Sequence, residues 1–423
     1  MPEQIITTTR EMNRITSSML EAVDSASGGL DGFSDVEKAK FLAQLPRAME
    51  EIKNSEKTPR VMSTPQHQFA SVLQSLVASN AKPGEQLASG AFEAMFDTND
   101  WFGWAKTAWH ILVDARNKFP WQAPPPQPEV IPQFKNRAKL DIISDWGTGL
   151  YGAPVIANTI SADKPNIIMH LGDVYYSGTE GEFKDRFSRF WPKYDGALHR
   201  ALNGNHEMYS GGRPYVQAIQ RAPFSQKSTC FAYQNDHWIL IGLDTAYQDF
   251  DLYQDEQEQH DEVKWLNGIV DKAEGRRIVL FSHHQPFSIF DKPGPKLVAK
   301  MGDYLLKTGK IFAWYWGHEH QCVIYDRHLG WKMYGRCVGH SGMPEFRKLS
   351  DLPSAKPAFR KIPGKDEAPA ALVLDGRNDY ITGEENKFSP HGFVSLEFDD
   401  DRLVESYRNP DGSLIMPSQE LAR

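Results

Sequence analysis

Apolar residues in the first 120 positions follow the spacing of amphipathic helices. In the stretch HQFASVLQSLVAS they recur at i, i+3, i+4, i+7 and i+8, which is one face of a helix. A second stripe runs from residue 91 to residue 119, and Pro46 predicts a kink further upstream. We therefore expect a helical N-terminal region over residues 1–120. Its apolar faces are extensive enough to predict packing on the rest of the chain, or a homo-oligomer formed through these helices.

A proline-rich stretch, FPWQAPPPQPEVIPQF, follows this region. Five prolines lie between Pro120 and Pro128, so a helix cannot continue through them. Such a composition is typical of an extended linker or strap. We place the boundary between two domains here, with the linker at residues 121–137 and the second domain at 138–423.

Short apolar runs alternate with helical patterns beyond the linker. The runs LDIIS, NIIMHLG, HWILIGLD, RIVLFSHH and KIFAWYWGH are typical of strands buried on both faces, which predicts an α/β fold with a mainly parallel core. The segment DEVKWLNGIVDKA between two of them is predicted to be a covering helix. Residues 344–390, rich in Pro, Lys and Asp, are expected to form a long loop. The final alternating segments predict a closing hairpin.

Charge and composition narrow the possible partners. The net charge of −8 argues against a nucleic-acid or anionic-membrane partner. The three cysteines form no C-x-x-C pair, so a thiolate zinc site is not expected. The N-terminus shows no signal-peptide pattern, and no apolar run approaches the ~18 residues of a membrane span. We expect a cytoplasmic protein without a membrane partner.

Polar residues suited to metal ions end nearly every predicted strand of the second domain. Aspartate, asparagine and histidine supply hard anionic oxygen, neutral oxygen and borderline nitrogen donors. The carboxyl ends of parallel strands meet at one edge of a sheet, so these side chains are expected to converge. On an extended segment the histidines of GHEH would point to one side. The candidates are Asp145, Asp173, Asn205, His206, Glu207, His283, His284, His318 and His320.

Each of these residues has an ordinary structural explanation when taken alone. A strand-end aspartate usually caps a turn, an asparagine commonly occupies one, and His170 in IIMHLGD is expected to be a core histidine. Five such blocks in order, each behind an apolar strand, are difficult to obtain by chance, so we favour a metal site.

The order D-x-G, G-D-x-x-Y, G-N-H-E, a strand ending in histidine and then G-H-x-H resembles the calcineurin-like metallophosphoesterase superfamily. Within it, the sequence is most similar to the purple acid phosphatase branch. The resemblance covers residues 138–408. It implies a metallophosphoesterase-type β-sandwich flanked by helices, and leaves the helical region without a counterpart.

Gly147 carries the resemblance to that branch. The common form of the superfamily has D-x-H in the first block, whereas the purple acid phosphatase branch has glycine there and takes a tyrosine from the second block. SDWG is paired here with GDVYY, so the resemblance implies Tyr176 as that ligand; packing of Tyr176, with Tyr175 or water in its place, is the alternative. The implied ligands of one metal are Asp145, Asp173, Tyr176 and His320, and those of the other are Asp173, Asn205, His283 and His318.

The resemblance also implies cofactors and a reaction. A phenolate favours Fe(III), so we expect Fe(III) with a divalent Fe, Zn or Mn ion and a metal-bridging hydroxide that attacks a phosphate ester. His206 is the expected proton donor and His284 a substrate-binding residue. Counting back from Pro286 selects His284 as the ligand, whereas counting forward from Leu280 selects His283, which we prefer.

Three functions are consistent with these residues. We expect a phosphomonoesterase with a small-molecule substrate. A phosphodiesterase of the same fold, acting on a cyclic nucleotide or another diester, is the first alternative. A non-catalytic regulatory protein is the second, and the complete ligand set argues against it.

Overall fold

The computed structural model describes residues 118–421, apart from 176, 249, 256–260, 292–294, 350–355 and 382–384. The predicted N-terminal helices, the kink at Pro46 and the predicted homo-oligomer contacts lie outside the described residues. The described residues of 119–208 and 212–421 form one compact unit, which contains all the elements below.

Two mixed β-sheets form the centre of this unit, as the apolar runs predict. In chain order the strands of the described residues are β1 (Arg137–Ile143), β2 (Ile167–His170), β3 (Leu198–Ala201), β4 (Phe231–Gln234), β5 (Trp238–Gly242), β6 (Arg277–Ser282), β7 (Ile311–Trp316), β8 (Cys322–Tyr325), β9 (Tyr334–Val338), β10 (Ala358–Ile362), β11 (Ala371–Asp375), β12 (Phe393–Asp399), β13 (Arg402–Arg408) and β14 (Gln419–Glu420).

The parallel strands lie in the middle of the eight-stranded sheet, whereas in the six-stranded sheet they form one side and include the edge strand β3. The six-stranded sheet has the order β14–β13–β12–β1–β2–β3, with β1, β2 and β3 parallel. The eight-stranded sheet has the order β10–β11–β8–β9–β7–β6–β5–β4, with β5, β6, β7 and β9 parallel. Two antiparallel strands, β12 and β13, form the predicted C-terminal hairpin against β1.

The two sheets pack face to face because alternate residues of each strand are apolar. Leu140 of β1 and Met169 of β2 meet Leu240 of β5 and Phe281 of β6 in this central core. The intervening residues of the same strands are also buried, on the outer faces of the sheets. Period-two alternation with both faces apolar is expected for strands covered on both sides.

Helices cover the two outer faces. In chain order they are α1 (Ala153–Asp163), α2 (Glu180–Glu182), α3 (Asn205–Met208), α4 (Arg213–Ile219), α5 (Glu262–Asp271) and α6 (Pro295–Leu306), and a π-helical turn spans Phe183–Ser188. Ile156 and Ile160 of α1 pack on the first sheet, whereas Leu266 of α5 and Leu297 of α6 pack on the second. The predicted covering helix is therefore α5, and the fold is the predicted α/β sandwich flanked by helices.

The proline-rich segment is an extended strap held on the surface of the sandwich. Trp121 stacks on Tyr253 with ring centroids 4.3 Å apart. The indole Nε1 of Trp265 donates to the Pro125 carbonyl oxygen at 2.7 Å, and Glu129 forms a parallel bridge beside β4. Proline lacks the N–H that a helix or inner strand needs, which leaves aromatic contacts and carbonyl acceptors to fix the segment.

Residues 344–390 differ from the sequence-based expectation of a long loop. They contain the hairpin β10–β11, in which β11 also pairs with β8 and extends the second sheet. The run ALVLD supplies the apolar side chains of β11, but the polar residues around it obscure this signal.

Candidate metal centre

The strands of both sheets end next to one another and bring the candidate ligands together. Asp145, Asp173 and Asn205 follow the parallel strands of the first sheet, and His283 and His318 follow β6 and β7 of the second. All five side chains are buried. The site therefore lies where the carboxyl ends of two packed sheets meet.

Several of these residues occupy tight turns with an unusual backbone. Asp145 and Asp173 have φ angles of 54° and 75°, and His318 and His320 have 67° and 51°. A positive φ disfavours residues with a Cβ and commonly marks functional sites. The expectation that His318 and His320 lie on an extended segment is wrong. The turn separates their rings and directs them to different groups of ligand atoms.

Four donors from Asp173, Asn205, His283 and His318 form what we call the nitrogen-rich group. His283 Nε2 lies 2.9 Å from Asn205 Oδ1 and 3.3 Å from Asp173 Oδ1. His318 Nδ1 lies 2.9 Å from Asn205 Oδ1 and 3.2 Å from His283 Nε2. The Leu171 carbonyl accepts from His283 Nδ1 at 2.9 Å, which leaves Nε2 of the neutral ring available as a ligand atom.

Four donors from Asp145, Asp173, Tyr175 and His320 form a second set, the phenol group. The Tyr175 hydroxyl lies 3.1 Å from Asp145 Oδ1, 3.3 Å from Asp173 Oδ2 and 2.9 Å from His320 Nε2. His320 Nε2 lies 3.4 Å from Asp145 Oδ1. Asp173 thus contributes Oδ1 to the nitrogen-rich group and Oδ2 to the phenol group.

The spacing of the donors fits two metal ions. Ligand atoms about 2.0–2.2 Å from a common ion, in tetrahedral or octahedral arrangements, lie about 2.8–3.6 Å apart. The separations within both groups, from 2.9 to 3.4 Å, fall in that range. The oxygen and nitrogen composition also suits first-row transition metals.

Gly147 is required by the packing of the first two blocks. A Cβ at this position would lie 2.7 Å from Val174 Cα and 2.8 Å from the Asp173 carbonyl oxygen. Gly147 N donates to that oxygen at 3.3 Å, and Tyr175 N donates to the Gly147 carbonyl at 3.1 Å. The absence of a side chain lets the two loops pair, and this pairing carries Tyr175 to the phenol group.

Tyr176, the tyrosine that the sequence predicts as the ligand, lies outside the described residues. Tyr175, the alternative considered for that role, is only 1% exposed, and its hydroxyl occupies the phenol group. The spacing G-D-x-x-Y gave no reason to prefer it, because side-chain direction in a turn depends on backbone dihedral angles rather than on residue count.

Burial and the opposed charges of the site perturb its ionisation. Burial favours the neutral form of Asp173, but the neighbouring His283 and His206 outweigh it and hold its pKa well below the usual value. Burial raises the pKa of Tyr175 well above 10, and Asp145 and Asp173 add to this effect. Burial alone would lower the pKa of His320, whereas Asp145 and Glu345 raise it to about 10. Protons on the histidines thus balance the negative charge of the carboxylates, and bound metal cations would balance it in the same way.

Glu207 fixes the backbone behind the bridging aspartate. Its Oε2 accepts from Asp173 N at 3.1 Å and from Gly204 N at 3.0 Å. A Cβ on Gly204 would lie 2.2 Å from Asp173 Oδ1, so only glycine fits there. Glu207 is only 1% exposed, so its carboxylate lies inside the protein and not on its surface.

His206 lies beside both groups. Its Nε2 is 3.8 Å from Asp173 Oδ2, and its ring packs edge-on against Tyr175 with centroids 4.6 Å apart. The backbone N–H of His206 donates to Asp173 Oδ1 at 3.1 Å. His206 is 5% exposed, so it is buried beside the site.

His284 packs edge-on against the rings of His283 and His318 in the nitrogen-rich group. Its Nδ1 contacts the Thr245 carbonyl oxygen at 2.9 Å, and its ring lies under Phe250 at 3.8 Å. One ligand atom from each of His283, His284 and His318 lies within a common 4.8 Å. Among the described residues, His284 Nε2 has no hydrogen-bond partner. The geometry favours His283 as the residue shared with Asp173 and Asn205.

Two residues near the phenol group were missed from the sequence. Glu345 Oε2 lies 3.4 Å from His320 Nδ1, and Lys348 Nζ lies 2.9 Å from Glu345 Oε1. Both belong to the segment expected to be a loop, which shows neither strand nor helix periodicity.

None of the helices found between Ala153 and Leu306 is long and apolar enough to cross a bilayer.

Comparisons with known proteins find one matching family model and several similar folds. Residues 138–322 match the model of the calcineurin-like phosphoesterase family. No curated protein is significantly similar in sequence to the chain. Among solved structures, a purple acid phosphatase from yellow lupin (Lupinus luteus) seeds is 15% identical, with a TM-score of 0.47; the match covers 69% of this chain and 54% of that one. The chain thus spans about half the length of the lupin enzyme.

Two further structures are similar over two thirds of the chain. GAP50, the anchor in the inner membrane complex of Plasmodium, is 13% identical, with 67% of this chain and 88% of that one covered and a TM-score of 0.46. A dimetal phosphatase from Danio rerio is 11% identical, with 67% and 98% covered and a TM-score of 0.40. Residues 138–322 thus carry a calcineurin-like phosphoesterase domain, as the order of the sequence blocks predicts.

Proposed function

We propose that this protein is a binuclear metal-dependent phosphomonoesterase of the purple acid phosphatase type. The position of Asp173 carries the proposal, because its two carboxylate oxygens belong to two different groups of four donors. One carboxylate shared in this way suits a pair of adjacent cations. When bound, such a pair supplies an acidified water as nucleophile and neutralises phosphate oxygens.

The two groups differ in the ions they suit. The phenol group contains one tyrosine and two carboxylates, a hard donor set that favours Fe(III). The nitrogen-rich group contains two histidines and an asparagine, which suit a divalent Fe, Zn or Mn ion. The proposed ligands are Asp145, Asp173, Tyr175 or Tyr176, Asn205, His283, His318 and His320.

The protein supplies proton transfer and substrate contacts. His206 Nε2, beside Asp173 and at the border of the site, donates the proton that the leaving oxygen requires. His284 is the phosphate contact in this proposal: its Nδ1 is anchored at the Thr245 carbonyl oxygen, and its Nε2 has no hydrogen-bond partner among the described residues. Glu207 holds the backbone of Asp173 in place.

Assays of metal-loaded protein on p-nitrophenyl phosphate and bis(p-nitrophenyl) phosphate test this proposal. We expect turnover of the monoester, with loss of activity after chelation and recovery on metal addition. Preferential turnover of the diester would establish the phosphodiesterase alternative. Two bound metal ions with no turnover of either substrate would support a regulatory role.

His206→Ala tests the proton donor. We expect both metals to remain bound and turnover of a poor leaving group to fall by ~10²–10⁴, the range for a lost general acid. The loss shrinks for p-nitrophenol, which leaves without a proton. Equal losses for good and poor leaving groups, at unchanged metal content, would refute the role.

A further inference from the structure

Behind the phenol group, a buried ion pair contacts the far side of His320. Glu345 Oε2 lies 3.4 Å from His320 Nδ1, whereas His320 Nε2 faces Asp145 and Tyr175. Lys348 Nζ lies 2.9 Å from the other Glu345 oxygen. The side chains of Glu345 and Lys348 are 3% and 4% exposed. One ring thus connects the metal-facing donors to a carboxylate and an ammonium group.

The loop that carries this pair is firmly anchored. Arg347 donates from Nε and Nη2 to the two oxygens of Asp375 in β11, at 2.8 and 2.9 Å. The Glu345 carbonyl accepts from Ser389 N at 2.7 Å, and Phe346 stacks on Phe388 with centroids 5.0 Å apart. A carboxylate held in this way has little freedom to leave His320.

Lys348 balances more than one acidic group. Burial alone would lower the pKa of this lysine, but Glu345, Asp291 and Glu319 raise it above its usual value, so the ammonium stays charged. Glu319 is itself fixed by Trp316, whose Nε1 donates to its carboxylate at 2.9 Å. The cation therefore limits how much negative charge the carboxylates place behind His320.

We propose that Glu345, partly neutralised by Lys348, is a positioning residue that orients His320 and sets how strongly its imidazole binds a metal ion. This inference rests on the proposed function. A carboxylate on the distal nitrogen fixes the ring and increases its basicity, and removing such a partner commonly lowers metal affinity ~10–100-fold. Lys348 acts through Glu345, by withdrawing part of its charge.

Glu345→Gln removes the charge of this side chain and keeps one acceptor oxygen, for which His320 Nδ1 and Lys348 Nζ compete. In iron-loaded, oxidised protein we expect affinity at the phenol group to fall ~10–100-fold. The phenolate-to-iron absorption band should shift to longer wavelength, since a weaker imidazole donor leaves the iron more electron-poor. Glu397→Gln, an exposed change on β12, serves as the matched control and should leave both readouts unchanged.

Lys348→Met tests the second half of the pair. It leaves the Glu345 charge unbalanced, so the band should shift to shorter wavelength. In the Glu345→Gln/Lys348→Met double variant, which also avoids an unpaired buried charge, the band should match that of Glu345→Gln alone. Lys387→Met is the control: it makes the same substitution at a lysine whose ammonium lies over the rings of Phe346 and Phe388, and it should leave the band in place.

The outcomes separate this inference from the proposed function. Wild-type protein that binds no metal would overturn the proposed function. Wild-type protein that binds two ions, with unchanged affinity and band position in Glu345→Gln, would overturn only the role of Glu345. If Lys348→Met shifted the band as much in the Glu345→Gln variant as in the wild type, Lys348 would not act through the Glu345 carboxylate.

Discussion

Two buried polar clusters of the sandwich contrast in how their charges are balanced. Between the sheets, Arg336 of β9 donates from Nε to both oxygens of Glu405 on β13, at 2.9 and 3.1 Å, and the Tyr315 hydroxyl donates to the same carboxylate at 2.5 Å. Arg336 Nη1 donates to the carbonyls of Tyr325 and Gly335. This cluster is complete within the protein.

The cluster at the strand ends has a different composition. The charged contacts of Asp145 and Asp173 among the described residues are with histidines, whose charge requires a bound proton. Their remaining contacts include the Tyr175 hydroxyl, a neutral donor. The Arg336 cluster balances its charges with protein groups alone, whereas the carboxylates of the site cluster face histidines that carry a charge only when protonated, and we propose that metal cations bind there. Two equally buried clusters therefore differ in how their charges are balanced.

Asp173→Asn is expected to have the largest effect on this contrast. It removes the carboxylate that both donor groups share, so metal occupancy and activity should both collapse, by more than the ~10²–10⁴ expected for a lost proton donor. In metal-free protein we expect only a small loss of stability: the substitution removes the attraction to His283 and His206 that holds the pKa of Asp173 low, but it also relieves repulsion from the buried Glu207.

Elemental analysis, activity assays and thermal melts of metal-free protein check the Asp173→Asn variant. Two tightly bound metals in an active variant would rule out the bridging role. A large loss of stability without metal would show that the site cluster supports the fold as the Arg336 cluster does.

Glu405→Gln should have the next largest effect. We expect it to lower the free energy of unfolding and to leave metal binding unchanged. Removing one partner of a buried ion pair costs about 3–5 kcal/mol, because Arg336 is left uncompensated between the sheets. Metal content and turnover per folded molecule should match the wild type. The double variant Glu405→Leu/Arg336→Met should recover stability. Chemical denaturation with and without metal measures both quantities, and a loss that metal addition reverses would contradict the assignment.

The buried strands and the residue types that follow them could be predicted from the sequence. Apolar runs followed by Asp145, Asp173 and His283 indicate buried strands that deliver donors to one edge, and the fold follows from the same runs. The left-handed turns at His318 and His320 were not predicted, because a two-residue spacing does not determine φ.

Residues placed by tertiary contacts escaped the sequence analysis. Glu345 reaches His320 from a segment without periodicity, and its position depends on the hairpin β10–β11 and on the pair of Arg347 with Asp375. The choice between Tyr175 and Tyr176 depends on the pairing of Gly147 with Val174, a contact between two loops. The local sequence pattern predicts which residue types can donate to a metal ion, but not which of the two adjacent tyrosines points into the site.

The smallest expected effect distinguishes these two tyrosines. Because three other donors remain in the phenol group, Tyr175→Phe should weaken that half of the site less than the loss of the shared Asp173 carboxylate does. In iron-loaded, oxidised protein it should also remove the visible absorption, since that band requires a phenolate bound to iron. Tyr176→Phe is the matched control and should remain coloured, because the Tyr175 hydroxyl already lies 2.9 Å from His320 Nε2. Absorption spectra and metal analysis of the two variants decide the matter. Bleaching by Tyr176→Phe with colour retained in Tyr175→Phe would return the ligand role to the residue that the sequence predicts.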